Sequence, residues 1–304
     1  AGTLQSPALL MRSGVGPAAH LKDHGIDAVA DRAGVGRNLH EHPTCILAAH
    51  LRYNGMQDAA LRAAGNAALR HSSKMEGCPP HDFYMAIANK VGWHPLGTRV
   101  GGAVVSVVKP FSRGAVTLKS ADPAVNPRVA FHVMEDERDL ARMKQGLRLF
   151  YEIFRSKAVR EVTTEAFPAA FSARVRNLNM ETRANWWKAF AASLLMDLPG
   201  PFRRAALRTL IAPGPSLGEI FATDQTLEAW IRENCRGFFH PVGTCRFGTA
   251  DDPLAVVNPA GKVHGVEGLR VVDASVMPTI VRANTNLTAI MIGEKIADMM
   301  KEGR

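Results

Sequence analysis

Phe239-His240-Pro241-Val242-Gly243-Thr244-Cys245 is followed, within the last quarter of the chain, by Val272-Asp273-Ala274-Ser275 and then by Asn284-Thr285-Asn286-Leu287-Thr288. These stretches bring together one imidazole, one carboxylate and two carboxamides. Leu269-Arg270-Val271-Val272-Asp273 reads as a buried strand that delivers its carboxylate into a turn. Leu287 to Met300 reads as a helix, apolar almost all round in its first half and therefore buried. An α/β fold is expected, and in open α/β sheets a carboxylate at the carboxyl end of a strand is a common ligand contact.

Working outward, Ser6-Pro7-Ala8-Leu9-Leu10-Met11-Arg12 reads as a short helix with Ser6 as its cap and Pro7 at its first position. A second helix spans Ala18 to Asp23 and stops at Gly25. Gly34-Val35-Gly36-Arg37-Asn38-Leu39-His40-Glu41-His42-Pro43 is loop-like, and residues 44–53 look like a strand. Residues 57–75 are Ala-rich, with Leu61, Ala64, Ala68 and Leu69, and predict a helix. From 83 to 133 the period shifts to two. Gly102–Val108 and Ala115–Lys119 read as strands of an antiparallel sheet region, with Ser112-Arg113-Gly114 as a turn between them. Residues 135–155 form an amphipathic helix with Leu140, Met143, Leu147, Phe150, Tyr151 and Phe154 on one face. A helix is expected from Asp224 to Asn234, with Leu227, Trp230 and Ile231 facing inward. Residues 156–216 are the least readable part. They hold Trp186-Trp187 and more basic than acidic residues.

The chain of 304 residues is 46% hydrophobic and 21% charged, a soluble globular composition. No apolar run is long enough for a transmembrane helix. The net charge of +9 is scattered among acidic residues without a tract of five like charges, which argues against nucleic-acid binding. Cys45, Cys78, Cys235 and Cys245 show no paired spacing, so reduced thiols and a cytoplasmic location are expected. The opening Ala1-Gly2-Thr3 has no initiator Met and no signal-peptide pattern, so a fragment or C-terminal half is expected.

Each candidate residue has two readings. His240, between Phe239 and Pro241, is either a packed core imidazole or a base able to accept a hydroxyl proton near neutral pH. Asn284 and Asn286 are helix caps, or one of them donates to a substrate oxygen where free N–H groups and the helix dipole favour negative charge. Asp273 contacts a ligand or caps the turn after it. Gly14-Val15-Gly16 and Gly34-Val35-Gly36 copy part of a dinucleotide fingerprint, but neither opens a strand–helix–strand unit with a later acidic residue. The second could still reach a phosphate through backbone N–H groups. His40 and His42 are a weak pair of metal ligands, and no metal is expected.

Taken in order, these motifs resemble the glucose–methanol–choline (GMC) oxidoreductases, and among them the choline-dehydrogenase-like alcohol dehydrogenases. Gly2-Thr3-Leu4-Gln5-Ser6-Pro7-Ala8-Leu9-Leu10-Met11-Arg12-Ser13-Gly14-Val15-Gly16 is similar to a family signature, and Gly34 to Leu39 with His42-Pro43 is similar to the loop that follows it. Pro110-Phe111-Ser112-Arg113-Gly114 with Asp122-Pro123 resembles the substrate-domain hairpin. His240-Pro241-x-Gly243-Thr244, Gly268 to Ser275, and Asn284-x-Asn286-x-x-Thr288 with Gly293-Glu294-Lys295 resemble the closing module.

The resemblance implies FAD as cofactor and oxidation of a primary alcohol to an aldehyde. It implies His240 as the base and Asn286 as its catalytic partner. Asp273, Ala274, Gly36, Asn38, Leu287 and Thr288 are implied as cofactor contacts. It also implies a segment of the FAD-binding domain at 1–43, an α+β substrate domain with an antiparallel sheet backed by helices at 44–236, and a return to the FAD domain at 237–304. The family's N-terminal GxGxxG unit is missing, so this chain alone is expected to bind FAD weakly and to be inactive without that half. The electron acceptor, quinone or oxygen, is open. A non-catalytic substrate-binding or interaction module is the competing reading. The basic segment around Trp186-Trp187 suggests peripheral contact with the inner membrane, against the plainer reading of a lid or oligomer contact.

Overall fold

In the computed structural model the chain forms two compact units, one made of residues 1–43, 108–136 and 237–304, the other of 44–107 and 137–236. The structure describes residues 2–58, 60–61, 63, 65–169 and 173–303. The stretch 108–136 joins the first unit, although its position in the chain puts it inside the middle segment read from the sequence. Mixed helices and antiparallel sheet make this an α/β protein.

The first unit opens on the Ser6–Arg12 helix, with Pro7 in its first turn. Gln5 takes the capping position there, because the Ser6 hydroxyl is spent on Asp273. Val15–Gly16 pairs in parallel with Ala30–Asp31 across the Ala18–Asp23 helix, a small strand–helix–strand unit. Ala115–Thr117 pairs antiparallel with Arg128–Ala130. From 238 to 285 the chain is mostly irregular, fastened by long-range backbone bonds such as Cys245 N–H to Ser275 O and Val271 N–H to Gly261 O. The Asn286–Lys301 helix closes the unit. Its core gathers Met11, Leu21, Val242, Val257, Val276 and Ile296.

The second unit is built on an antiparallel sheet. Pro43–Leu51 lies beside Val100–Val107, which lies beside Phe83–Ala88, then Gly65–His71, while Thr163–Ala169 flanks Pro43–Leu51 on its other side. The Glu137–Arg155 helix buries Leu140, Met143, Leu147 and Phe150, one stripe at helical spacing, and contacts the Val100–Val107 strand. The Asp224–Asn234 helix, capped by Thr223, turns Leu227, Trp230 and Ile231 inward. The Arg183–Met196 helix buries only Ala189, Ser193 and Met196; Trp186 stacks on Phe190, and Trp187 is exposed. No helix among the described residues is long and apolar enough to cross a membrane.

Four sequence expectations are corrected. Residues 65–71 form a strand, not part of a 57–75 helix, because pairing with Phe83–Ala88 outweighs the helix preference of an Ala-rich run. Ala64, one of the residues behind that helix, lies outside the described residues. Ser112-Arg113-Gly114 does not join two paired strands, since 100–107 and 115–117 find their partners elsewhere. Residues 269–273 form no strand. Their backbone bonds go to the 261–263 turn, with one isolated bridge at Arg270. The last helix is not buried in its first half. Leu287 is 77% exposed, Ile290 and Met291 are exposed, and only Ile292 and Ile296 are covered. An apolar pattern reports the surface of a helix, not what lies against it.

Candidate active site

The His240 stretch is held in the first unit by its own backbone and by the 36–42 loop. His40 N–H donates to Val242 O (2.9 Å) and Val242 N–H donates back (3.1 Å). Gly36 N–H donates to Thr244 O (2.9 Å), so the N–H proposed to reach a phosphate is occupied. Asn38, at a left-handed φ of 62°, donates from Nδ2 to Gly243 O (3.2 Å) and Pro278 O (3.3 Å). A carboxamide tolerates that backbone region better than most side chains. The Thr3 hydroxyl donates to Pro241 O (2.8 Å) and the Thr244 hydroxyl to Thr3 O (2.6 Å).

His42 determines the protonation pattern of His240. Its Nε2 lies 3.0 Å from the Val281 carbonyl, which can only accept, so this nitrogen carries the hydrogen. Burial, then the neighbouring His240 ring, hold the His42 pKa down at about 4, so the ring is neutral. Its Nδ1 is then a bare acceptor, 2.9 Å from Nδ1 of His240. The donor in that contact must be Nδ1–H of His240. A neutral His240 therefore keeps its lone pair on Nε2, and burial lowers its pKa below the ordinary value. The two rings meet edge to face, with centroids 5.0 Å apart.

His40 does not share a ligand-like geometry with His42. It is buried, donates from Nδ1 to Asn38 O (2.8 Å), and is held near pKa 3 by burial and then by Arg113.

Asp273 uses both carboxylate oxygens within the chain. Oδ2 accepts from the Ser6 hydroxyl (2.6 Å) and Oδ1 from Ser275 N–H (2.7 Å), capping the Ala274–Val276 turn. Ala274 O accepts from Gly243 N–H (3.2 Å). Gly36, Asn38, Asp273 and Ala274 thus all touch the 243–244 stretch or its immediate supports. Asn286 is the first residue of the last helix and is exposed; among the described residues no hydrogen bond joins it to His240. Neither asparagine caps that helix. Thr285 holds the capping position without a side-chain bond to the first N–H groups, which lie beside exposed Leu287 and half-buried Thr288. A separate groove of about 720 Å³ is lined by Gly36, Arg37, Asn38, His20, Arg113 and Arg246, among others.

Read alone, the sequence does not single out Glu41 as a site residue, offers His42 only as a weak metal ligand and a loop residue, and makes Ser6 a helix cap. The signal was present in His40-Glu41-His42, three titratable side chains in succession beside a glycine-rich loop. Its meaning depended on which ring would meet His240, and local spacing does not encode that.

Two family models described as GMC oxidoreductase match residues 1–44 and 110–293. The chain belongs to the GMC oxidoreductase family. It is 39% identical to the 5-(hydroxymethyl)furfural oxidase of Methylovorus sp. (strain MP688), over 98% of this chain and 49% of that protein. It is 34% identical to the oxygen-dependent choline dehydrogenase of Brucella ovis, over 98% of this chain and 50% of that protein. The formate oxidase of Aspergillus oryzae RIB40 shares the fold at a TM-score of 0.75 and 22% identity, covering 100% of this chain and 53% of that one. The chain spans about half the length of the curated relatives it matches.

Proposed function

We propose that this chain carries the proton-accepting part of an FAD-dependent enzyme that oxidises a primary alcohol to an aldehyde. The observation that carries the reading is the Nδ1-to-Nδ1 contact of His42 with His240, which leaves Nε2 of His240 as a neutral proton acceptor. An alcohol hydroxyl placed at that nitrogen would lose its proton to it as the carbon gives up hydride. The first N–H groups of the Asn286–Lys301 helix and the Asn286 carboxamide are suited to steady the resulting alkoxide. Both substrates named in the sequence relatives carry a primary alcohol, which supports this substrate class.

The residues present fit part of a flavin nucleotide. The uncapped helix start offers donors to an electron-rich ring, and the groove with Arg37, Arg113 and Arg246 offers positive charge to a diphosphate. Bound FAD would supply the hydride acceptor. Asp273 and Ala274 would support the site through Ser6 and Gly243, with Gly36, Asn38, Leu287 and Thr288 beside it. The relatives are about twice as long, which supports completion of the cofactor site by a further N-terminal portion. The exposed Leu287, Ile290 and Met291 are an apolar surface available to it.

His240→Ala in the flavin-loaded protein tests the reading. Turnover is expected to fall by about 10²- to 10⁴-fold with flavin content retained. Undiminished turnover removes His240 as the base, and a flavin-loaded wild type with no alcohol oxidation favours a non-catalytic binding module. FAD titrated into this chain alone, followed by flavin fluorescence, is expected to show weak binding or none. Tight stoichiometric binding overturns the requirement for a second portion.

A further inference from the structure

We propose that Glu41 is a positioning residue for His240, fixing the backbone from which that imidazole projects; the inference rests on the reading of His240 as the base. Glu41 is 5% exposed, in the segment just before His42. Its Oε1 accepts the N–H groups of His42 (2.8 Å), Phe238 (3.2 Å) and His240 (2.8 Å). Its Oε2 accepts the His240 N–H as well, at 3.0 Å. All of these donors are main-chain groups. Residues 41 and 42 therefore grip His240 twice, carboxylate on amide and imidazole on imidazole.

Two independent features show why a grip is needed there. Phe239 sits between the two clamped amides at a left-handed φ of 61°, with its ring 77% exposed. A bulky residue holds that conformation only when its neighbours enforce it. Gly237 makes room for the clamp, since a Cβ at that position would lie 2.5 Å from Cγ and 2.9 Å from Cδ of Glu41. The carboxylate, the glycine beside it and the strained residue form one device.

The device responds to protons. An ionised carboxylate accepts at both oxygens, whereas a protonated one turns one oxygen into a donor facing N–H groups. Burial pushes the Glu41 carboxyl up to about 7, against the opposing pull of the His240, His42 and Phe238 amides. The imidazoles around it are shifted the other way. His40 and His42 titrate at about 3 and 4, and the His240 pKa is lowered from its ordinary value. Lys109 and Arg113 are the cations that act on these imidazoles, and burial, then Arg282 and Arg113, lower the Lys109 pKa. The clamp is closed above neutral pH and loosened below it.

The test uses Glu41→Gln and Glu41→Asp in the flavin-loaded protein and in this chain. With Gln, kcat is expected to fall about 10- to 100-fold with KM within twofold, the scale of a misplaced reacting group. The acid limb of kcat near pH 7 should move below 6.5, and Asp should restore part of the rate. In the chain alone, the His240 amide resonance should titrate near pH 7 in wild type and lose that titration with Gln. Its hydrogen exchange should quicken at least about tenfold, the worth of one hydrogen bond. Gly237→Ala, which crowds the carboxylate, should give the same amide change if Glu41→Gln does not fold. Unchanged exchange and titration of the His240 amide overturn the clamp. An intact clamp together with full activity of His240→Ala overturns the base assignment and leaves the clamp without a catalytic role.

Discussion

The two units bury charge in opposite ways. In the 44–107 and 137–236 unit, fully buried Arg142 is paired with Asp82 (3.2 Å) and Asp139, and donates to Arg138 O. Asp82 also accepts from Ser73 N–H (2.8 Å) and the Ser73 hydroxyl (2.6 Å). In the other unit, Glu41 accepts from three main-chain amides, and the imidazoles beside it are kept neutral by burial. Countercharge closes the first cluster on itself. In the second, burial without countercharge raises the Glu41 carboxyl to about 7, against the pull of the amide dipoles. Regular sheet and helix suit the paired cluster. The irregular 238–285 path suits the other, because only such a path turns consecutive amides toward one carboxylate.

The sharpest way to break this contrast is Arg142→Met. Removing the cation strands two buried carboxylates, and the expected cost is about 3–5 kcal/mol, read by chemical denaturation at pH 7. A loss within about 1 kcal/mol means the triad is not a closed charge system.

The pH dependence of Glu41 comes next. Its carboxyl is raised from 4.5 to about 7 in the folded chain. A raised carboxyl pKa gives stability that is fully present below the unfolded value and lost as pH rises through the folded one. The stability of wild type relative to Glu41→Gln should therefore decline by about 3 kcal/mol between pH 4.5 and 7. A flat difference across that window means that folding does not raise the Glu41 carboxyl.

The smallest effect concerns the backbone that carries the site. Gly36 adopts a φ of 81°, and a Cβ there would lie 2.1 Å from the Val116 carbonyl oxygen. Gly36→Ala is expected to cost at least about 1–3 kcal/mol, the worth of the conformation before the clash is counted, with the same cost at pH 5 and pH 8. Thermal melts at both values check it, and a cost that changes with pH ties this loop to the titrating groups.

Legibility in the sequence followed the source of each feature's stabilisation. The Asp224–Asn234 helix could be read because its cap, its apolar stripe and its length are local. The Glu137–Arg155 helix was visible within two residues for the same reason. The Gly65–His71 strand was misread because its stabilisation lies in the neighbouring strand. The exposure of Leu287 was misread because an apolar residue does not state what covers it. In the site, His240 stood out as an imidazole in a distinctive frame. Glu41 and His42 did not, since their partners lie 197 to 199 positions away.

The amino-acid order by itself determined the family's motifs, the helices with local caps and stripes, and the residue types able to move a proton. Tertiary structure decided which nitrogen of His240 keeps its lone pair, which amides Glu41 holds, and that Asp273 is tied to Ser6. Helix signals act over a few residues and are written in one stretch. Tautomers, buried carboxylates and their donors depend on groups that meet only after the chain has folded.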